Sequence, residues 1–535
     1  MNTDPSQSRI PDPSAPALSR SRLPVPGLSR PRTAPERGIV HLGLGNFHRA
    51  HQAVYTAEAL RHTEGPWGIT GVVTGPTQRS RTVVEGMTAQ DELYTVLTLG
   101  RDGSVRADVP GVHHAGLLGG DQAEAVVDAI GDAATRIVTL TVTEKGYTFT
   151  PSGGLDLDDP RVAADLTGTA APRTPLGLLL RGLQRRVRTH AAPLTVLPCD
   201  NLMDNGSRTR RLLDEFASAL PSGEREELTA YLASSVSTPS TMVDRIAPAT
   251  TDAHRALVTR HFGVRDAVPV PAEPYRLWVL QDDFRAGRPA WEKAGAVFTP
   301  EVAGYETMKL RLLNGAHSLL AYLGLLLGHP SVDRAVGDPG LGAVVRHAMT
   351  REILPSVEVP DGVDGAAYIE ELLERFANPA LGHRTSQVAT DGSLKIPVRW
   401  AGPLAHRLAS GTVPEVLALG VAAYIRIVTR GGEAYDERAL GAVRDDATDR
   451  LRALAGRAGE PGAAARLVVE AGGLLPEPVA GSAEFTDRVA AHARDLARHG
   501  ARATVDAALR AASTRPAQKP QKQQSQQKTQ EPQEP

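Results

Sequence analysis

The chain has 535 residues, with 59 Lys and Arg against 61 Asp and Glu, so its formal net charge is -2. This balance supplies no positive field for sequence-independent binding to nucleic acid or to an anionic membrane. The single cysteine, Cys199, excludes an intramolecular disulfide and any multi-cysteine zinc or iron–sulfur site. It also suits a reducing compartment, so we expect a cytoplasmic protein.

The two ends of the chain differ in composition from the rest. Residues 1–36 are rich in Ser, Arg and Pro, and the prolines would break the amphipathic helix of an organelle transit peptide. We therefore predict a mobile arm, with targeting as the alternative. Residues 513–535 have almost no apolar side chains and are predicted to form a disordered tail. No apolar run approaches the roughly 20 residues of a membrane span, so we expect no membrane partner.

The residues between the ends change in pattern near position 300. Before it, short β-branched runs (38–42, 69–73, 136–142 and 193–197) alternate with Ala-rich helical stretches. Such strands are typical of a parallel sheet between helical layers. After it come predicted helices over residues 308–327, 365–376, 413–429, 437–458 and 484–512. We predict an α/β protein, with a mostly parallel sheet in residues 37–299 and a mainly α-helical substrate and catalytic domain in residues 300–512.

The first predicted strand ends in a glycine turn, GLGNFHRAH, followed by a predicted helix over residues 52–61. In a dinucleotide fold, Gly43 and Gly45 would permit a tight turn and let the pyrophosphate approach the backbone amides. His48 stands where a third glycine would complete the fingerprint, so an ordinary glycine turn stays an alternative. The strand–turn–helix context supports the other interpretation, a dinucleotide-binding domain of the Rossmann type.

The preference between NAD and NADP is read at the end of the second predicted strand. An acidic side chain there would select NAD by binding the ribose hydroxyl, and VVTGPTQR contains none. Arg79 and Arg81 could bind the 2′-phosphate of NADP or lie in solvent. We predict NAD, with NADP as the alternative.

The segment YETMKLRLLNGAHS (305–318) places four polar side chains together. At about 100° per residue, Glu306, Asn314 and His317 share one arc of a helix with Lys309. The helix is apolar around most of its circumference, which predicts burial. The polar arc is then expected to line a cleft, because burying these groups without partners costs several kcal/mol. A half-exposed helix with Lys309 and Glu306 in solvent is the alternative.

Lys309 is the candidate general base. Burial favours the neutral amine, which could take a proton from a secondary alcohol while hydride leaves the same carbon for nicotinamide. Asn314 would hold the alkoxide and His317 a neighbouring hydroxyl. Tyr305 and Lys309 also form the Tyr-x-x-x-Lys pair of short-chain dehydrogenases, but a position at the start of the α-rich half disfavours that class. We expect no metal, because Cys199 cannot supply the usual thiolate set and no H-E-x-x-H occurs, and a His/Glu site is the alternative.

From about residue 38 to about residue 512 the chain resembles the polyol-specific long-chain dehydrogenases, which include mannitol 2-dehydrogenase and fructuronate reductase. The resemblance rests on ordered motifs: GIVHLGLGNFHRAHQAVY, QDELYTV, TVTEKGY, PCDNLMDNG, MVDRI, GRPAWEKAG and MKLRLLNGAHS. It implies a metal-independent secondary-alcohol dehydrogenase that uses NAD or NADP. Its nucleotide domain would precede an α-helical domain, and its partner would be a small polyol, ketose or sugar acid.

The resemblance also implies residue roles. Lys309, Asn314 and His317 match the base, an oxyanion contact and a substrate-binding residue, in that order. Asn201 matches a second oxyanion donor, and Glu306 resembles a carboxylate that relays protons from the lysine to solvent. The predicted cofactor-binding residues are Gly43, Gly45, Asn46, Phe47 and Asp244, and a structural turn carboxylate is the alternative for Asp244.

Substrate choice divides the resemblance. Lys395 resembles a substrate-binding lysine, and Gln387 stands where the mannitol branch carries an arginine eight residues earlier. The surrounding HRTSQVATDGSLKIP looks more like the fructuronate reductase side, where Arg384 could bind a carboxylate or lie on the surface. We predict mannitol–fructose type exchange, with fructuronate reductase or mannitol 1-phosphate dehydrogenase as alternatives. A catalytically silent nucleotide sensor is the alternative class, and a monomer or weak oligomer is expected.

Overall fold

A computed structural model describes residues 14–23, 34–75, 77–142, 146–150, 152–168 and 170–514. The chain divides into two compact units. The first comprises Met1–His317, Pro330–Gly337 and Val357–Val388, and the second comprises Ser318–His329, Asp338–Ser356 and Ala389–Pro535. The first unit therefore also includes segments that follow the predicted boundary at residue 299.

Strands occur in the first unit. Their bounds are β1 Arg37–Leu42, β2 Gly68–Val73, β3 Val96–Leu99, β4 Val105–Asp108, β5 His113–Leu118, β6 Ile137–Leu140, β7 Leu194–Pro198, β8 Val236–Ser237, β9 Thr241–Asp244, β10 Val270–Ala272, β11 Leu277–Leu280 and β12 Val297–Phe298. The four predicted strands correspond to β1, β2, β6 and β7. In each of these four, most side chains are buried on both faces, as the apolar runs predicted.

The described residues form one six-stranded sheet in the order β5-β2-β1-β6-β7-β8, with every neighbouring pair parallel. The chain builds outward from β1 to one edge and then returns to β6, on the other side of β1. Ligands of such sheets bind at the carboxyl ends of the strands where the order reverses, which here is between β1 and β6. Two three-stranded sheets, β10-β3-β4 and β12-β11-β9, accompany the large one and were not predicted.

Helices follow the strands and dominate after residue 300. In the part of the chain up to residue 326 they are α1 Asn46–Ala50, α2 Gln52–His62, α3 Gln78–Thr88, α4 Ala123–Gly131, α5 Pro160–Thr167, α6 Pro175–Thr189, α7 Asn205–Ser218, α8 Ser222–Ser235, α9 Asp252–Phe262, α10 Val302–Met308 and α11 Gly315–Leu326. Later helices are α12 Val332–Gly337, α13 Pro339–His347, α14 Gly365–Phe376, α15 Thr385–Ala389, α16 Gly392–Ala409, α17 Glu415–Arg430, α18 Glu437–Leu440, α19 Thr448–Ala455, α20 Pro461–Ala471, α21 Glu477–Ala480, α22 Ala483–Arg498 and α23 Gly500–Thr514. The predicted α/β class, a parallel sheet followed by a mainly helical part, is confirmed.

Two predicted helices are interrupted where glycine takes a left-handed backbone conformation. The predicted helix over residues 437–458 breaks after α18, where Gly441 has φ 94°, and resumes as α19. The one over residues 484–512 breaks between α22 and α23, where Gly500 has φ 77°. A non-glycine residue adopts such angles only at a cost, so these glycines separate consecutive helices. No helix in the described ranges is long and apolar enough to cross a membrane.

Part of the predicted mobile arm packs against other residues of the first unit. Leu18 is buried, and its backbone N–H donates to the Arg265 carbonyl oxygen at 2.9 Å. The Arg20 backbone N–H donates to Asp91 Oδ2, also at 2.9 Å. Residues 14–23 therefore differ from the prediction, because Leu18 supplies apolar surface that the composition of the whole arm concealed. The rest of the arm up to residue 33, and residues 515–535 of the tail, lie outside the described residues.

Candidate active site

The predicted helix that carries the polar arc contains a π-helical turn. α10 ends at Met308, a π-helix runs over Lys309–Asn314, and α11 begins at Gly315. The Gly315 N–H donates to the Leu310 carbonyl oxygen, the i to i+5 pattern of this helix type. Residues five apart lie above one another in such a turn. Lys309 and Asn314 therefore share a face more closely than the 140° separation that a regular α-helix would impose.

Lys309 is half-buried, and two other elements hold its amine. Its Nζ donates to Asn201 Oδ1 at 2.7 Å and to the Val243 carbonyl oxygen. Asn201 follows the carboxyl end of β7, and Val243 belongs to β9. Because Lys309 Nζ donates to Oδ1, the Asn201 amide has Oδ1 toward the lysine, and its Nδ2 is the donor group of that amide. The structure thus brings together two of the residues predicted from separate motifs.

Glu306 lies one turn before Lys309 and is 7% exposed. Both of its carboxylate oxygens are 3.2 Å from the Asp204 backbone N–H, which donates to them. Burial raises the pKa of Glu306 to about 7. Nearby, the Tyr147 hydroxyl donates to Asp200 Oδ2, and burial raises the pKa of Asp200 to about 6. The site therefore holds two carboxyl groups that titrate near neutral pH.

His317 is half-buried in a stack of rings. Its imidazole lies 5.1 Å from the Phe376 ring and 5.5 Å from the His383 ring, at interplanar angles of 29° and 24°. This stack brings His317 to the segment that carries Arg384 and Gln387, whose side chains are exposed. Both positions are predicted substrate-binding residues and stay predictions.

Lys395, the other predicted substrate-binding residue, belongs to the second compact unit. It lies in the first turns of α16, and its Nζ donates to the Thr390 carbonyl oxygen. Its proposed contact with substrate stays a prediction.

The glycine turn follows β1 as predicted. Gly43 has φ 113°, and a Cβ there would clash with the Thr141 carbonyl oxygen beside β6, so only glycine fits. A Cβ on Gly45 would meet only the Gly43 carbonyl oxygen, at 3.6 Å. Protein packing therefore does not require glycine at position 45, and its bare backbone leaves room for a ligand to approach. That arrangement fits the pyrophosphate of a dinucleotide.

The two residues after the turn are engaged within the protein. Asn46 Nδ2 donates to the Pro248 carbonyl oxygen at 2.8 Å, and Asn46 Oδ1 accepts from Arg49 at 2.9 Å. The Phe47 ring stacks on His51 with centroids 5.0 Å apart. The hydrogen bonds of the Asn46 side chain therefore stabilise the turn. The predicted contacts of Asn46 and Phe47 with the cofactor stay predictions.

His48, at the position of the missing third glycine, belongs to a buried histidine cluster. Its ring stacks on His41 at 3.4 Å between centroids, and its Nε2 lies 3.2 Å from His113 Nε2. Burial lowers the pKa of His41 and His113 to about 3, so both are neutral. The close packing that the third glycine usually permits is achieved here by flat, uncharged imidazoles.

Arg81, one of the two arginines considered for a 2′-phosphate, forms an exposed ion pair with Asp121 at 2.6 Å. The Arg79 side chain lies outside the described residues. The choice between NAD and NADP therefore stays a prediction.

Asp244 lies at the end of β9 in a buried ion cluster that the sequence did not predict. Arg375 Nη1 and Nη2 donate to its two carboxylate oxygens at 2.8 and 2.9 Å, and the same guanidinium donates to Glu273 at 2.8 and 3.0 Å. The signal that could have revealed Arg375 is a charged residue on the apolar face of α14, three positions after Leu372. Asp244 is thus held in an ion pair at a strand end, and its predicted contact with a cofactor stays a prediction.

Among the described residues, no group of three or more His, Cys, Asp or Glu side chains is arranged to hold a metal ion.

Comparison with known proteins adds relatives that span most of the chain. Residues 37–293 match the family model of the mannitol dehydrogenase Rossmann domain, and residues 301–474 match that of the mannitol dehydrogenase C-terminal domain. D-mannonate oxidoreductase of Escherichia coli strain K12 is 36% identical over 498 residues, 91% of this chain and 99% of that protein. Mannitol 2-dehydrogenase of Cereibacter sphaeroides is 40% identical over 397 residues, 74% of this chain and 81% of that protein. The structure of Pseudomonas fluorescens mannitol 2-dehydrogenase, a ternary complex with NAD and D-mannitol, matches with a TM-score of 0.80 at 32% identity, covering 92% of this chain and 99% of that one.

Proposed function

The chain belongs to the mannitol dehydrogenase family, and we propose that it is an NAD-dependent dehydrogenase that interconverts a polyol and a ketose. The observation that carries the proposal is the hydrogen bonding of Lys309. A neutral amine has two N–H groups and one lone pair. The bonds to Asn201 Oδ1 and the Val243 carbonyl oxygen can therefore be kept while the lone pair takes the hydroxyl proton of a secondary alcohol.

The two asparagines supply the oxyanion contact. The bond from Lys309 fixes the Asn201 amide with Nδ2 as a donor, and the π-turn places Asn314 on the face of Lys309. Preorganised amide donors around one oxygen stabilise the alkoxide, because they need not reorganise as negative charge develops on that oxygen. His317, held between two rings, would position a neighbouring hydroxyl of the substrate.

Glu306 is proposed to carry the proton onward. It lies one helical turn from Lys309, and its pKa, raised to about 7 by burial, lets it accept and release a proton near neutral pH. Its bond with the Asp204 amide holds the carboxyl in place during that exchange.

The residues around the switch point fit NAD, with NADP as the alternative. Gly43 makes the turn and Gly45 leaves the backbone open to the pyrophosphate. The dinucleotide, when bound, supplies the hydride acceptor or donor of the reaction. We propose no metal cofactor, because a general base and two amide donors suffice for this chemistry.

The proposed substrate pair is of the mannitol–fructose type, with D-mannonate and D-fructuronate as the second candidate. One argument for the second candidate is a relative, a D-mannonate oxidoreductase, 99% of whose length aligns with this chain. This candidate is also favoured by Arg384, exposed beside the His383 ring that stacks on His317, where a guanidinium could bind a carboxylate. A cytoplasmic location and a monomeric or weakly oligomeric state stay predictions.

The test is a substrate panel with absorbance of the reduced nicotinamide as the readout. Fructose, fructuronate, tagaturonate and fructose 6-phosphate are offered with NADH or NADPH, and the matching polyols and acids with the oxidised cofactors. Lys309→Ala should bind nucleotide normally and lose about 10² to 10⁴ in the rate of alcohol oxidation, because it lacks the base. Lys293→Ala, which removes an exposed lysine of the 3₁₀ turn Trp291–Ala294, is the matched control and should keep full activity.

Three results would contradict parts of the proposal. Nucleotide binding without turnover across the panel would support the sensor class. Near-normal oxidation by Lys309→Ala would remove the lysine from its proposed role. Activity that is lost on dialysis against EDTA and restored only by zinc would indicate a metal mechanism.

A further inference from the structure

The ion cluster around Arg375 lies next to the strand that holds the amine of Lys309. Asp244 directly follows Val243, whose carbonyl oxygen accepts from Lys309 Nζ. The two carboxylate oxygens of Asp244 are both taken by the Arg375 guanidinium. The conformation of this strand end, and with it the position of the carbonyl that the lysine contacts, depends on that fork.

The same cluster reaches the glycine-turn helix. Glu273 accepts from Arg375 through both carboxylate oxygens and from the Ile246 backbone N–H at 2.7 Å. The Glu273 carbonyl oxygen accepts from Arg245, whose other guanidinium nitrogen donates to the Ala50 carbonyl oxygen at the end of α1. One connected network thus joins the strand under the catalytic lysine to the helix after the nucleotide turn.

The charges in this network balance. Asp244, Glu273, Arg245 and Arg375 are buried, with two negative and two positive side chains. Burial raises the pKa of Asp244, but the charge and hydrogen bonds of Arg375 outweigh this and leave it lowered, so the carboxylate is ionised. The Tyr275 ring covers the guanidinium at 3.9 Å and separates it from water.

Several other charged or titratable groups face Lys309 and its surroundings. On α10, Glu306 interacts electrostatically with the lysine. Asp200 after β7 and Asp204 at the start of α7 act on Glu306, and His51 between α1 and α2 acts on Asp244. Of these groups, Asp244 is the ionised carboxylate that directly follows the residue holding the amine.

We propose that Arg375 is a positioning residue that sets the charge beside the catalytic lysine. By neutralising the charge of Asp244, Arg375 allows this carboxylate to hold the end of strand β9 in place without stabilising the protonated form of Lys309. An ammonium next to an unpaired buried carboxylate would keep its proton and be a poor base at neutral pH. Paired with Arg375, the same carboxylate contributes little net field at the amine. The inference rests on the proposed role of Lys309 as general base.

The pH profile of alcohol oxidation tests the proposal. Arg375→Met leaves Asp244 unpaired, so the acid limb of the profile should move to higher pH by about 1 unit. Asp244→Asn removes the carboxylate and leaves the cation, so the limb should move to lower pH by about the same amount. The double variant should lie between the two, and Arg375→Lys, which keeps the charge, should stay within about 0.3 unit of the wild type while losing kcat because its fork is gone.

A purely structural role would not produce shifts of opposite sign. Loosening of the fold lowers kcat or raises KM in both variants but leaves the midpoint of the acid limb in place. Arg288→Met, at a half-buried arginine that binds two exposed carboxylates, is the control and should not shift the profile. If Arg375→Met does not fold, the other two variants decide the question. Asp244→Asn should move the acid limb to lower pH, and Arg375→Lys should leave it in place.

An unshifted limb in either Arg375→Met or Asp244→Asn, or shifts in the same direction, would overturn the inference. These failures are distinct from failure of the proposed function. In that case the wild type and Lys293→Ala would themselves not oxidise any substrate of the panel.

Discussion

Arg375 and Arg288 of the first unit each bind two carboxylates, Arg375 in the interior and Arg288 nearer the surface. Arg375 is 6% exposed, and its partners Asp244 and Glu273 are 5% and 1% exposed. Arg288 is 19% exposed, and its partners Asp282 and Glu292 are 55% and 48% exposed. The donor–acceptor distances are similar, between 2.6 and 3.1 Å around Arg288 and between 2.8 and 3.0 Å around Arg375. Chemically alike ion triads therefore occupy opposite dielectric environments.

The difference determines what each triad can do. An exposed ion pair is screened by water and salt, so its charges are felt only weakly a few ångströms away. A buried pair is screened far less, and its members cannot recruit water when a partner is lost. Only the Arg375 triad can therefore influence the protonation of a neighbouring amine, and only it should be costly to break.

The largest effect is expected from Arg375→Met. The substitution leaves Asp244 and Glu273 buried without their counter-ion, and breaking such a pair typically costs about 3 to 5 kcal/mol of folding free energy. Urea unfolding of the variant and the wild type at neutral pH measures the difference. A loss below about 1 kcal/mol would mean that water reaches the triad, which would remove the distinction between the two arginines.

The two triads also differ in how far the sequence could predict them. Arg288 lies six residues from Asp282 and four from Glu292, within the range of local patterns. Arg375 lies 131 residues from Asp244 and 102 from Glu273, so its partners are set only by the folded chain. The sequence shows Arg375 as a charged residue on the otherwise apolar face of α14, but it does not show which carboxylates this residue contacts.

The same limit applies to the rest of the site. The strands β1, β2, β6 and β7 and the Gly43 turn were predictable because β-branched runs and glycines act locally. Lys309, Asn314 and Asn201 were found through motif spacing and family resemblance, and the contact of Lys309 with Asn201 fits that prediction. The π-turn at Lys309 was not predicted, because the apolar pattern reads the same for α and π geometry over one turn.

Glu306 offers an intermediate case, a buried carboxyl group without an arginine. Burial raises its pKa from 4.5 to about 7, so between these pH values the folded state binds more protons than the unfolded state. Stability should therefore fall as pH rises through this window. The Gln side chain of Glu306→Gln does not titrate there. Between pH 5 and pH 8 the variant should therefore lose about 2 to 3 kcal/mol less free energy of unfolding than the wild type.

Urea unfolding of Glu306→Gln and the wild type at the two pH values measures that difference. Equal losses in both proteins would show that Glu306 titrates as it does in the unfolded chain. In that event the carboxyl would be ionised throughout the neutral range and could not pass a proton on from Lys309.

Arg288→Met should have the smallest effect, although it breaks as many ion pairs as the change at Arg375. Water replaces the lost partner at Asp282 and Glu292, because both are about half exposed, so the expected cost is about 0 to 1 kcal/mol. Part of any loss would come from packing, since the Arg288 guanidinium lies 3.7 Å from the centre of the Phe298 ring. Methionine keeps much of that apolar contact and loses the charge, so urea unfolding at low and at high salt separates the two contributions. A cost that disappears in high salt belongs to the ion pairs, and one that persists belongs to the ring. A cost equal to that of Arg375→Met would show that burial does not decide the strength of these triads.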